Sequence, residues 1–307
     1  MCRVLAYLGQ PVSAEHLLYS SDSSLMNQVF QPKMLAMLNL AGFGMVAWDA
    51  ESVQPDIPWL YHVTALPVFD RNLRTLSSKI HCGNLLAHIR GVPTDGSASI
   101  NEQNLHPFIF PGVSLAMAHN GDLYNFPTMR YALTPHIRQE FLRLVRGDTD
   151  SEWMYALLMS RFDDPAALHT TKEITTAVQQ MLDILREVRA QHDIEISSSL
   201  NLFISNPSCI IAVRFALDYG CYPLPDQDDV HQGCVDYLSL WFTRGSNYAC
   251  HDGEWKMIGG RQSAESVIVA SEPLSLDTST WVEVPEYHAL AVEKNADRID
   301  TNLVALE

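Results

Sequence analysis

One long amphipathic stretch in the middle of the chain limits the folds open to it. Ile174, Ala177, Val178, Met181, Leu182, Leu185 and Val188 recur at steps of three and four residues, one apolar face over about five helical turns. Just ahead of it, Thr149-Asp150-Ser151-Glu152 has the spacing of a capping box and opens onto Trp153, Met154, Leu157 and Leu158, so a helix is expected there too. On both sides of this pair the apolar runs are strand-like. Before it come Arg3 to Leu8, Gly44 to Trp48, Asn84 to Ile89 and Ser114 to Ala118; after it come Ser199 to Ile204, Cys209 to Ala216, Tyr237 to Thr243, Ser266 to Ala270, Trp281 to Val284 and Tyr287 to Val292. Two sheets packed face to face, with helices outside, would bury both kinds of element. The expected fold class is α+β, a four-layer αββα body. A doubly wound parallel sheet fits less well, because βαβ alternation and a G-x-G-x-x-G turn are both missing. No repeat, low-complexity tract or flexible linker divides the chain, so residues 1–307 are expected to form a single domain.

Charge narrows the function. With 36 acidic residues against 20 Lys plus Arg, the formal charge is −16, and no basic run offsets it. Such a chain repels phosphate backbones and anionic membrane surfaces, so neither nucleic acid nor membrane is an expected partner. The N-terminal apolar stretch is too short for a signal sequence or a membrane span, which points to the cytoplasm. Six cysteines, at 2, 82, 209, 221, 234 and 250, form no C-x-x-C pair, and a cytosolic chain of this size needs no disulfide framework.

Cys2 is placed unlike the other five. If Met1 is removed, leaving residues 2–307, Cys2 becomes the first residue and carries a thiol and a free α-amine together. Their unperturbed pKa values, about 8.5 and about 7.7 to 8, make proton exchange between them nearly balanced near neutral pH. One residue can then be both nucleophile and base. Three further segments suit the same chemistry. Leu85-Leu86-Ala87-His88-Ile89-Arg90 is an apolar strand ending in an arginine that could fork onto a carboxylate, although such an arginine is also a common surface ion-pair residue. Leu115 to Asp122 leads into Asn120-Gly121, where a side-chain amide and a glycine N–H could converge on an oxyanion; its ordinary reading is a turn. Gly147 to Glu152 sets carboxylates at a helix start, where Asp150 could meet an ammonium group while Thr149 and Glu152 merely cap.

The order of these pieces resembles the class II glutamine amidotransferases, which are N-terminal nucleophile hydrolases with the αββα fold. The N-terminal stretch Cys2 to Gly9 is similar to the stand-alone glutaminase-like branch that includes the γ-glutamyl hydrolase of ergothioneine synthesis. Gly42-Phe43-Gly44, Asn104-Leu105-His106-Pro107-Phe108 and Ser271-Glu272-Pro273-Leu274 are similar to further landmarks of that branch. The resemblance implies Cys2 as nucleophile, Arg90 on the substrate α-carboxylate, Asp150 on its α-ammonium, and Asn120 with Gly121 as the oxyanion hole. It implies a glutamine or γ-glutamyl substrate cleaved at its γ-amide through a γ-glutamyl thioester, with no cofactor.

The sequence departs from the family in two places. Asn39-Leu40-Ala41-Gly42 has alanine where an acidic residue is usual, and Arg90-Gly91-Val92-Pro93-Thr94 replaces an arginine followed by Ala-Thr. Both are expected in loops facing the substrate, and both bear on the leaving group. Two other clusters stand apart from this set. His231-x-x-Cys234 with Cys250-His251 matches no common zinc module, so no metal is expected, and Asp226-Gln227-Asp228-Asp229 reads as a solvated loop. His106 and His119 are expected to be structural hydrogen-bonders, since the α-amine fills the role of base. Two further readings stay open: a glutaminase subunit feeding ammonia to a separate synthetase, since no synthetase domain would fit after residue 307, and a non-catalytic ligand-binding protein that keeps the fold. The number of subunits is not legible.

Overall fold

The computed structural model describes residues 2–34, 38–92, 99–217, 239–259, 264–296 and 298–307. In chain order the elements are β1 (Arg3–Ser13), α1 (Ala14–Tyr19), β2 (Phe43–Trp48), β3 (Trp59–Val63), α2 (Arg71–Ser77), β4 (His81–Ile89), β5 (Ala116–Asp122), α3 (Phe126–Leu133), α4 (Gln139–Leu142), α5 (Asp150–Met159), α6 (Thr171–Gln191), β6 (Ser198–Asn206) and β7 (Cys209–Leu217). They continue with β8 (Trp241–Gly245), β9 (Asn247–His251), β10 (Glu254–Ile258), β11 (Ser266–Ala270), β12 (Val282–Glu283), β13 (His288–Asn295) and β14 (Arg298–Ala305).

The strands form one sheet of order β12-β8-β11-β1-β4-β2-β3, a second of order β14-β13-β7-β6-β5, and a separate β9-β10 hairpin. The ladders of both sheets are antiparallel. Side-chain alternation along β1 explains the layering. Val4, Ala6 and Leu8 point into a core between the sheets, where they meet Ala116, Ala118, Phe203 and Leu290 from the second sheet. Leu5 and Tyr7 point the other way, onto Leu17 and Leu18 of α1 and Leu73 of α2. The far face of the second sheet, with Met117, Leu200, Leu202 and Val213, is covered by α5 and α6. The layers are thus helix, sheet, sheet, helix, as the binary pattern predicts.

The α6 face is buried as expected, and packing rather than intrinsic propensity holds it: each buried Leu, Ile or Met contributes about 1.5–3 kcal/mol. A full capping box belongs to this helix, at Thr170 and Glu173. At α5 the expected box is only half made. The Thr149 hydroxyl accepts from the Glu152 amide at 3.3 Å, but the Glu152 carboxylate turns to the Arg146 and Gly147 amides instead.

Three sequence expectations change. Asn120-Gly121 is not a turn, because β5 continues through Asp122 in register with β6. The edge strands β3 and β14, the β9-β10 hairpin and helices α1 to α4 lack a clean two- or 3.6-residue apolar period, because they are short or half-exposed. β12 is reduced to two residues. The predicted strand start at Tyr237, the Pro93-Thr94 departure, Cys221, His231, Cys234 and the acidic run Asp226 to Asp229 lie outside the described residues. Cys250 and His251 are exposed at the end of β9, with His251 against Asp252.

Candidate active site

Cys2 stands at the start of β1, and two other chain segments fix its position. The Arg3 guanidinium donates to the Cys2 carbonyl at 3.0 Å and sits 3.5 Å from Glu272, both side chains being buried. Glu272 in turn accepts from the Lys33 and Met34 amides, so one carboxylate ties β1 to the 33–34 loop. Ser271 adds a second anchor: it exchanges backbone and side-chain hydrogen bonds with Val4, and its hydroxyl also accepts from the Asn120 side-chain amide at 3.2 Å. The Cys2 sulfur receives the Gly91 N–H at 3.5 Å.

A cavity of about 450 Å³ opens at this end of the sandwich, lined by Cys2, Arg90, Gly121 and Asp150 together with His106, Asp148 and others. Four of the five residues singled out in the sequence therefore share one cavity. Asn120, the fifth, is buried beside it and not in its wall, since alternation along β5 turns its side chain between the sheets toward Ser271. Its carbonyl oxygen has no hydrogen-bond partner, and one of its two amide protons remains beyond the bond to Ser271.

Arg90 follows the end of β4. Its backbone is bracketed by the 41–42 segment: the Arg90 amide donates to the Gly42 carbonyl and the Ala41 amide donates to the Arg90 carbonyl, each at 2.9 Å. Ala41 is buried under Arg90 rather than facing the cavity, which corrects the expectation that this departure lies in a substrate-facing loop. Gly91 and Val92, from the other departure, do line the cavity. The Arg90 guanidinium donates to the Ser99 carbonyl at 2.6 Å and makes no ion pair with a carboxylate among the described residues. Burial pulls it below its ordinary value, against the opposing pull of Cys2, Asp148 and Asp150, yet the guanidinium stays charged.

The opposite wall is acidic. Asp150 accepts from the Leu123 amide at 2.7 Å through one oxygen and from the Ser151 amide and hydroxyl through the other. These bonds and its place in the first turn of α5 hold the carboxylate still while leaving acceptor capacity. Asp148 is locked to Asn104 in both directions: the Asp148 amide donates to the Asn104 side-chain oxygen at 3.1 Å, and the Asn104 amide group donates back to the carboxylate. This gives the Asn104 landmark a role the sequence could not show. Burial, then the nearby Asp150 charge, pushes the Asp122 carboxyl up.

Gly121 is required by packing as well as by chemistry, since a Cβ there would overlap the Ser199 carbonyl and lie 2.5 Å from the His119 ring. His119 is structural as expected: its two ring nitrogens face the Ser151 hydroxyl at 2.9 Å and the Ser199 carbonyl at 3.1 Å. His106 differs, because only its Nδ1 is engaged, 2.8 Å from His88 Nε2. Sequence reasoning missed Ser271 and Glu272 as supports of Cys2, although both fall in a quoted landmark. Only their contacts, distant in sequence, reveal the role.

Comparison with known proteins adds to this geometry. Residues 68–216 match the family model described as glutamine amidotransferases class-II. The probable glutamine amidotransferase DUG3 of Saccharomyces cerevisiae is 28% identical over 312 residues, spanning 96% of this chain and 82% of that protein. Among solved structures, a glutamine aminotransferase class-II domain protein from Silicibacter pomeroyi aligns with a TM-score of 0.59 at 19% identity, over 99% of this chain and 100% of that one. The glutamine phosphoribosylpyrophosphate amidotransferase of B. subtilis aligns with a TM-score of 0.55 at 16% identity, over 98% of this chain and 49% of that one. The resemblance read from the sequence is borne out for the family and for the fold, and with it an amidohydrolase-type enzyme. No helix among the described residues is long and apolar enough to cross a membrane.

Proposed function

Starting from a chain that carries a class II glutamine amidotransferase domain, we propose that it hydrolyses the γ-amide of glutamine or of a γ-glutamyl compound, with Cys2 as nucleophile. The observation that carries this reading is the shared cavity: a thiol, a guanidinium without a carboxylate partner among the described residues, and an anchored carboxylate line one space of about 450 Å³. A γ-glutamyl group offers the complementary set, an α-carboxylate for Arg90, an α-ammonium for Asp150 and a γ-carbonyl for Cys2.

Once Met1 is removed, the α-amine of Cys2 takes the thiol proton and the sulfur attacks the γ-carbonyl carbon. The Gly121 N–H stabilises the oxyanion, joined by the remaining Asn120 amide proton from just behind the cavity wall. Collapse of the tetrahedral intermediate breaks the C–N bond, and the α-ammonium returns its proton to the leaving amine. Water, deprotonated by the same α-amine, then cleaves the γ-glutamyl thioester, releasing the γ-carboxylate and restoring the thiol.

The test is an assay of protein whose Met1 removal has been verified by intact mass, against glutamine and a panel of γ-glutamyl amides, with Cys2→Ala beside it. Ammonia or amine release that depends on Cys2 is expected, together with a Cys2-linked γ-glutamyl adduct on rapid quenching. Turnover by Cys2→Ala, or none by the processed protein with any γ-glutamyl compound, would overturn the reading.

A further inference from the structure

We propose that the resting nucleophile is also a binding site for a thiophilic divalent metal, with Cys2, His88 and His106 as ligands, through which Zn²⁺ reversibly blocks the enzyme. The sulfur of Cys2 and one ring nitrogen from each histidine lie within 4.8 Å of one another, and all three residues are buried. Thiolate and imidazole are the donors that Zn²⁺ takes in tetrahedral sites.

Two observations separate this cluster from a chance meeting of side chains. First, a donor is unspent: His106 Nε2 is buried and has no hydrogen-bond partner, and Cys2 and His106 both line the cavity, so an ion has a way in. Second, the rings orient each other: with the His106 Nδ1–H donating to His88 Nε2 across 2.8 Å, His106 Nε2 keeps its lone pair, and the metal takes the His88 Nε2 lone pair in exchange for that hydrogen bond, so neither ring loses a proton.

Binding exchanges one proton. The Cys2 thiol releases its proton to solvent as the sulfur–metal bond forms, and no group is oxidised or reduced. If Met1 is removed, as the proposed function requires, the Cys2 α-amine can close a five-membered chelate with the sulfur and complete a tetrahedral set. The metal occupies the lone pair that would attack substrate, so metal and substrate exclude each other.

The experiment uses processed full-length protein carrying Cys250→Ser, which removes the one exposed thiol among the described residues, and the same protein with Cys2→Ala or His106→Asn. Co²⁺ is added and the sulfur-to-cobalt charge-transfer absorption recorded; Zn²⁺ affinity is measured by competition with a chromophoric chelator. We expect the band in the parent, its loss in Cys2→Ala, and affinity weakened at least tenfold in His106→Asn. Zn²⁺ should also protect Cys2 of the parent from iodoacetamide, read by peptide mass, which needs no variant to fold. No band in the parent, an equal band in Cys2→Ala, unchanged affinity in His106→Asn, or no protection would each overturn the site. None of these readouts needs turnover. Metal binding without hydrolysis would sink only the proposed function, and hydrolysis insensitive to Zn²⁺ would sink only this inference.

Discussion

The Asn120 side-chain amide donates to the Ser271 hydroxyl across 3.2 Å, and this bond joins the two sheets beside the cavity. Ser271 also holds Val4 through both its backbone and its side chain, so the strand that presents Cys2 and the strand that presents the proposed oxyanion donors share one anchor. Ser271→Ala is expected to leave the buried Val4 amide without its partner and cost about 1–3 kcal/mol in urea unfolding. Because Asn120 also loses its tether, kcat should fall about tenfold or more while KM changes little.

Glu272→Ala removes the partner of a buried arginine and the acceptor of the Lys33 and Met34 amides. Leaving Arg3 as a buried charge without this carboxylate should cost about 3–5 kcal/mol, measured by chemical denaturation. Replacing both Arg3 and Glu272 by apolar residues is expected to cost less than Glu272→Ala alone.

Arg90→Lys should raise KM for glutamine by about tenfold to a hundredfold and lower kcat less, since an ammonium cannot present the two-point fork. Steady-state kinetics with glutamine, compared with an analogue whose α-carboxylate is amidated, checks this. Parent and variant should handle the analogue alike.

Gly121→Ala places a Cβ against the Ser199 carbonyl and 2.5 Å from the His119 ring, inside a paired strand that cannot yield without disturbing β6. A loss of about 1–3 kcal/mol is expected from the crowding, with a fall in kcat of about a hundredfold or more because the donor at 121 is displaced. Urea midpoints and kcat on the same preparation separate the two effects.

Acid should destabilise the fold earlier than its carboxylates alone require. His88 and His106 are held well below their usual value by burial, so below the unfolded value of about 6.5 the unfolded chain binds more protons than the folded one. Their contribution is complete above that value and is lost as pH falls through it, by about 1.4 kcal/mol per histidine per pH unit until the folded value is reached. Buried Asp122 and Glu152 are shifted upward and act in the opposite sense at lower pH. Unfolding free energies between about pH 7.5 and about pH 5.5 should therefore fall more steeply for the parent than for a His88→Asn/His106→Asn variant.

Periodicity alone determined the layers of this protein. The two-residue alternation of β1 and the three-and-four-residue steps of α6 fix which side of each element is apolar, and only a stacked arrangement buries them all. The order of Cys2, Arg90, Asn120-Gly121 and Asp150 likewise carried the family resemblance. Tertiary structure decided what surrounds those residues, because the deciding contacts join segments far apart in the chain. Glu272 reaches Arg3, Ser271 reaches Asn120, Asn104 reaches Asp148, and Ala41 proves to be packing under Arg90. The same holds for His106, whose place beside Cys2 and His88 no spacing rule predicts. Local propensity fixes the elements of a chain, but hydrogen bonds and charges act over a few ångströms in space, so only the folded backbone can say which of them meet.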